Sequence, residues 1–334
     1  MQPNNPPTVK FWGVRGSHPT PGAGTVGYGG NTPCVEINIA GQTIILDAGT
    51  GLIPLGRDLL RRQGGARQPL DLVLLLSHLH HDHTQGLPFF APAFLYSTRL
   101  HIFGPQTIEH SLDQVLSQNM LPPVFPISLQ DLAAQKTISS LKEGQLIHLP
   151  GGGKSPQVLF PQEAQPEELR QAVCIRVLKS SAHPGGVLVY RIEWRDYAIV
   201  YATDTEGYAS TDRRLADFAR GADLLIHDAQ YTEEHYLGLA PGTRSTQGWG
   251  HSTFGMACDV ARTAAVRRLA LFHFDPSYSD QTVDRIEAGA RQLFQATLAA
   301  HEGLELTLEP AKAAASLQLK VTPQAQASAS GNQL

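Results

Sequence analysis

Residues 77–83 read SHLHHDH, with four histidines and one aspartate in the six positions from His78 to His83. The stretch follows LDLVLLL (70–76), a continuous apolar run that predicts a buried strand. Imidazoles and carboxylates are poor interior residues unless they are paired or liganded. Strand alternation puts His78 and His80 on one side, and a tight turn can bring Asp82 and His83 back toward them, while His81 points away. Donors of this kind and density suit zinc, or iron or manganese where oxygen ligands are more numerous.

Other apolar runs end in the same way. Asp47 closes IILDAG, His183 closes VLKSSAH, Asp204 closes AIVYATD and His273 closes LALFH; His251, in WGHST, lies in a loop just before a helix. Taken together, these positions predict one polar crevice at a shared edge of paired sheets.

The chain has 334 residues, 42% hydrophobic and 17% charged, which is the composition of a globular protein with a large core. Strand-like segments (TVKFWG, CVEINI, TIILD, LDLVLLL, LHIFGP, VCIRVLKS, GVLVYRIEW, YAIVYA, ADLLIHD, ALFHF) alternate with helical ones. The expected helices include LIPLGRDLLRRQ, TIEHSLDQVLSQ, TDRRLADFARG, FGMACDVARTAAVRRL and a long one over VDRIEAGARQLFQATLAAHE. A hairpin is expected in NIAGQTIILD with Gly41 and Gln42 at its turn. This layout predicts two packed sheets with helices outside. Residues 1–310 are expected to form a single domain and 311–334 a disordered extension.

The formal net charge is −4 with no basic block, which predicts no stable nucleic-acid partner. No run reaches membrane-spanning length and MQPNNPPTVK has no apolar core of a leader. The cysteines are Cys34, Cys174 and Cys258, too scattered for a disulfide framework, so a reducing cytoplasm is expected.

HLHHDH resembles the HxHxDH signature of the metallo-β-lactamase-fold hydrolases, and LDAGTG, AH at 182–183, ATDTEG, GHST and ALFHFD continue the resemblance over about residues 8–295. It implies an α+β, four-layer αββα sandwich of two mixed β-sheets flanked by helices. GHST, with a histidine 22 residues beyond His251, resembles the tRNA 3′-processing and cyclic-phosphodiesterase branch. FWGVRGSHPTPG, YGGNTPC and AHPGGVLVYRIE are similar to a bacterial subgroup usually labelled metallo-hydrolases or cyclic-nucleotide phosphodiesterases.

The resemblance implies two divalent metal ions, zinc first, manganese or iron otherwise. His78, His80 and His183 would hold one, Asp82, His83 and His273 the other, and Asp204 would bridge them together with a water or hydroxide. His251 would stand beside the scissile phosphate as a catalytic group rather than a ligand, and Asp47 would brace the metal-binding loop. Asp228 and Glu206 are further candidates for bracing, and Arg15 and His18, on the turn after the first strand, for contact with phosphate.

In the tRNA-processing enzymes a basic arm is inserted between the positions matched here by His183 and Asp204. Twenty residues, spent on one hairpin, leave no room for it here, and the later H-x-S-x-R-Y pattern is altered to HFDPSY, keeping Tyr278 without the arginine. These departures point to small phosphodiesters, cyclic nucleotides among them, as substrates. An RNA-processing nuclease and a thioesterase, lactonase or other carboxyl-ester hydrolase stand as alternatives. Residues 88–175, with the apolar stretches FFAPAF and NMLPPVFPI, are expected to form a lid, a pocket wall or the interface of a homodimer.

Overall fold

A computed structural model describes residues 5–64, 69–107, 109–163, 169, 171–207 and 211–309. The extension expected at 311–334 lies outside the described residues. The strands are β1 (Thr8–Gly13), β2 (Cys34–Ile39), β3 (Gln42–Leu46), β4 (Leu70–Leu75), β5 (Thr98–Pro105), β6 (Gln135–Leu141), β7 (Leu146–Leu149) and β8 (Gln157–Leu159). They continue as β9 (Val173–Ser180), β10 (Val187–Trp194), β11 (Tyr197–Ala202), β12 (Leu224–Asp228), β13 (Leu269–Phe272), β14 (Thr297–Ala299) and β15 (Glu305–Thr307). One sheet has seven strands in the order β15-β1-β2-β3-β4-β5-β6, the other eight in the order β14-β13-β12-β11-β10-β9-β7-β8. Both mix parallel and antiparallel pairs. Helices α1 (Leu52–Arg62) and α2 (Leu112–Gln118) belong to the first half, and α3 (Arg213–Ala219), α4 (Glu233–Tyr236), α5 (Phe254–Thr263) and α6 (Asp280–Leu293) to the second.

The alternation along β4 shows how the layers form. Val73 and Leu75 face the core between the sheets, whereas Leu72 and Leu74 face a second core shared with Leu52, Leu55 and Leu59 of α1. A strand covered on both faces needs a continuous apolar run, which LDLVLLL supplies. Each such side chain contributes about 1.5–3 kcal/mol when fully buried. Neighbouring β3 splits likewise, Ile44 and Leu46 inward and Ile45 outward. The αββα sandwich is therefore the observed architecture.

Several local expectations change. The hairpin turn is Ala40–Gly41, and Gln42 is already the first residue of β3, paired with Ile39. The long terminal helix stops at Leu293, because Thr297–Ala299 leaves it to pair in parallel with β13. The helix from Phe254 stops at Thr263, since Leu269 begins β13. FFAPAF spans the end of one 3-10 turn, Leu87–Phe89, an extended Phe90 and a second turn, Ala91–Phe94. Residues 88–175 supply β5 and β6 to one sheet and β7, β8 and the start of β9 to the other. Among the described residues, no helix is long and apolar enough to cross a membrane.

Candidate metal centre

Strands β3 and β4 run parallel in one sheet, β11, β12 and β13 in the other. Their C-terminal ends open on one edge, the usual place for a site in such sheets. Asp47 follows β3, His78 to His83 follow β4, Asp204 follows β11, Asp228 ends β12 and His273 follows β13. Asp47, Asp204 and His273 have φ of 61°, 52° and 65°. Such left-handed backbone at non-glycine residues costs about 1–3 kcal/mol each. It turns the chain off the strand and is held by the hydrogen bonds described below.

His78, His80 and His183 form one group of donors, Asp82, His83 and His273 another, with donor atoms within 4.8 Å of one another in each. His183 Nε2 is 3.0 Å from His80 Nδ1, and His83 Nε2 is 3.2 Å from His273 Nε2. Asp204 lies between the groups. Its Oδ1 is 3.3 and 3.4 Å from Nε2 of His83 and His273, its Oδ2 3.6 and 3.8 Å from Nε2 of His78 and His183.

The far nitrogens fix the tautomers. Nδ1 of His83 meets Asp47 Oδ2 at 2.7 Å, that of His273 meets Gln230 Oε1 at 2.9 Å, and that of His183 meets the Gly250 carbonyl at 3.2 Å. These partners only accept, so each Nδ1 donates. Ser77 Oγ donates to Asp47 and accepts from His78 Nδ1 at 3.1 Å. All four Nε2 lone pairs are thereby left facing the centre, and His78 Nε2 is buried with no hydrogen-bond partner. Convergent, unprotonated imidazole nitrogens around a buried carboxylate fit a divalent cation on either side of Asp204.

The electrostatics agree for both carboxylates, Asp82 and Asp204, and for His78 and His183. Burial opposes protonation of His83, but Asp82, Asp204 and Asp47 push its pKa well up, so a cation there would have to displace its proton. Burial would raise the Asp82 and Asp204 carboxyls, but the surrounding imidazoles hold both well below the usual carboxylate range. Burial pushes His78 well down, aided by His83, and His183 down to about 4. The carboxylates are thus ionised, and these two histidines neutral, as metal ligands must be.

A further grouping joins Asp204, Asp228, His251 and His273. It is a hydrogen-bonded hub. Asp228 Oδ1 accepts from the backbone N–H of Gln230 and Ser252, and its Oδ2 from the N–H of Asp204 at 3.1 Å and from His251 Nδ1 at 2.9 Å. Burial opposes protonation of His251, but Asp228, with Asp204 and Asp82, pushes its pKa up to about 9. Its ring centroid lies 5.0 Å from that of His183 and 5.1 Å from that of His273.

Asp47 accepts four hydrogen bonds, from Ser77 N and Oγ, His83 Nδ1 and Tyr201 Oη, at 2.7–2.8 Å. Glu206 accepts from Tyr236 Oη and from the N–H of Gly248 and Gly250, and so holds the loop leading to His251. Arg15 does not fit a phosphate contact. It is fully buried and donates to the carbonyls of Gly29, in the loop after β1, and Tyr278, in the loop after β13, so its guanidinium is spent on tying these two loops together. His18 is exposed, its Nδ1 at 3.1 Å from the Pro19 carbonyl; it is instead the Ser17 backbone N–H that reaches the centre, donating to Asp82 Oδ2 at 2.8 Å. Tyr278 Oη is taken up by the Thr232 N–H and His235. Ser77, Tyr201 and Gln230 went unnoticed in the sequence. Gln230 alone carried a signal, two residues past a strand-end aspartate.

An apolar cavity of about 460 Å³ adjoins the HLHHDH loop, lined by His81, Phe89, Leu116, Met120, Val124 and Phe125. Of FFAPAF and NMLPPVFPI, only Phe89, Asn119, Met120, Val124 and Phe125 line it. A cavity of about 610 Å³ lies elsewhere, along Arg176, Arg191, Glu193 and Tyr197, and includes none of the centre's residues.

Residues 42–274 match the model of the beta-lactamase superfamily domain. The chain belongs to the metallo-β-lactamase superfamily. It is a metal-dependent hydrolase. Among curated proteins it is similar to ribonuclease Z of Thermococcus gammatolerans (strain DSM 15229 / JCM 11827 / EJ3), with 28% identity over 297 residues, 80% of this chain and 85% of that one. Further ribonuclease Z relatives match at 24–28% identity. Among solved structures, the metallo-beta-lactamase fold protein YhfI from Bacillus subtilis superposes with a TM-score of 0.61 at 19% identity, over 90% of this chain and 99% of that one. The short form of human tRNase Z gives 0.57 at 18%, over 90% and 99%. The two structures show the fold alone.

The ribonuclease Z relatives overturn the expectation that the protein has no nucleic-acid partner. That expectation took the net charge of −4 as a guide. Net charge averages over the whole surface, whereas a phosphate chain responds to the local field at the site.

Proposed function

We propose that this protein hydrolyses phosphodiester bonds of RNA at the strand-end centre. The observation that carries it is His251, a buried imidazole fixed by Asp228 and set beside one histidine from each donor group. It comes on top of two complete sets of donors, and the ribonuclease Z relatives share most of the chain. His78, His80 and His183 would hold one divalent ion and Asp82, His83 and His273 the other, and the Asp204 carboxylate, between the two groups, would serve both. Two such ions polarise a phosphoryl group and make a water easier to deprotonate. With Nδ1 committed to Asp228, His251 presents Nε2 to a phosphoryl or leaving oxygen and can give it a proton. Asp47, Gln230, Ser77 and the Gly250 carbonyl keep the imidazoles in the required tautomers.

Between His183 and Asp204 the chain runs straight through β10, a two-residue turn and β11, and carries no protruding arm. A short or single-stranded RNA end therefore suits the centre better than an enzyme-wide grip on a folded RNA. The test is a panel on metal-loaded protein: an RNA with a single-stranded 3′ extension, a cyclic nucleotide, a thioester and a lactone. The RNA is expected to be cleaved with the highest kcat/KM, and cleavage to disappear with chelation. Faster turnover of the thioester or lactone, with the RNA left intact, would overturn the proposal; a faster cyclic nucleotide would overturn its RNA part.

A further inference from the structure

Trp249 is 57% exposed, yet the loop that carries it is fixed by hydrogen bonds on both sides. Its own N–H donates to the Thr246 carbonyl at 3.1 Å. The residues on either side, Gly248 and Gly250, donate their N–H groups to the buried Glu206 carboxylate at 2.7 and 2.9 Å. Both glycines have positive φ, 82° and 91°, so the tight bend around Trp249 is one that other residues rarely adopt. A Cβ on Gly250 would lie 2.3 Å from His183 Nδ1, so the loop is pressed directly onto that histidine. The Gly250 carbonyl accepts from the same nitrogen, and His251 is the next residue.

A large aromatic surface left in water is unfavourable, and a loop that needs only to position His183 and His251 has no use for an indole. Two virtual bonds separate the Cα atoms of Trp249 and His251, at most about 7.6 Å. The backbone that carries the exposed indole is thus held within that distance of His251. An exposed aromatic on an anchored backbone within reach of a phosphoester site is what sequence-tolerant stacking of a nucleobase requires.

We infer that Trp249 is a stacking platform for the base of the nucleotide whose phosphate enters the centre, and so sets a preference for nucleotide over plain phosphate esters. This rests on the reading of the centre as a site for RNA phosphodiesters. It adds a subsite that the metal donors and His251 do not supply.

The test measures binding of AMP and ribose 5-phosphate to the metal-loaded protein by calorimetry. The two ligands share a sugar and a phosphate, and only AMP carries a base. Wild type is expected to favour AMP by about 5- to 150-fold, the equivalent of about 1–3 kcal/mol of stacking. Trp249→Ala should bring the two affinities within about two-fold through loss of AMP binding alone, and Trp249→Phe should restore most of the preference. If Trp249→Ala keeps the preference, or weakens both ligands equally, the stacking role is overturned. RNA cleavage by the wild type is scored separately. Intact RNA with a preference that collapses in Trp249→Ala would sink the RNA reading and leave the platform standing. Cleaved RNA with a preference that survives Trp249→Ala would do the reverse.

Discussion

The Asp228 carboxylate accepts from His251 Nδ1 at 2.9 Å and, with the same oxygen, from the backbone N–H of Asp204 at 3.1 Å. One side chain therefore sets both the imidazole offered to the substrate and the backbone of the residue between the two donor groups. Asp228→Asn keeps the shape and removes the charge. We expect it to retain both metals and to lower kcat by about 10- to 100-fold, the usual effect of losing such a supporting partner. Metal content measured alongside kcat checks this; a kcat within about two-fold of wild type would contradict the supporting role.

Asp47 should behave differently. Its four donors are all buried, so Asp47→Ala leaves Ser77, Tyr201 and His83 without their acceptor. Each unpaired buried donor costs about 1–3 kcal/mol. Denaturant unfolding of the metal-loaded variant should show a loss of that order, and a chelator should strip it at about 10- to 100-fold lower concentration than wild type. Wild-type resistance to the chelator would contradict the bracing role.

Arg15 separates scaffold from substrate contact. Arg15→Ala is expected to lower the melting temperature, since the Gly29 and Tyr278 carbonyls lose their donor. The KM for a phosphodiester should stay within about two-fold, because an unmoved KM indicates that no substrate contact was lost. A KM raised ten-fold at unchanged stability would return Arg15 to the phosphate.

Glu206→Gln loosens the loop that carries Trp249 and His251, because a neutral amide accepts less strongly from Gly248 and Gly250. A fall in kcat with metal content unchanged is expected, and a fall in metal content without one would argue against it.

The donors were legible because each follows the end of an apolar strand, all but His80 while still in the interior, and a buried carboxylate or imidazole there has few structural uses. β4 was legible because both its faces are covered. Strands at or next to the sheet edges were not. In β6, Gln135–Leu141, only Leu141 is buried, and β7 is just four residues long, so neither shows the period or length that marks a strand. Thr297–Ala299 followed a helical pattern without a break, and only pairing with β13 makes it a strand. Arg15 was misread because an arginine on a glycine-rich turn looks the same in sequence whether it faces phosphate or its own backbone. Tyr201 and Ser77 could not be found at all, since their partner, Asp47, lies 154 and 30 residues away.

The most direct measurement is elemental analysis of metal-replete wild type, His251→Ala and His273→Ala in parallel. We predict two divalent ions per chain in wild type and in His251→Ala, one in His273→Ala, and a kcat on RNA lowered by about 10²–10⁴-fold in His251→Ala. A single ion in wild type, or loss of an ion from His251→Ala, would contradict a dinuclear centre served by a separate histidine.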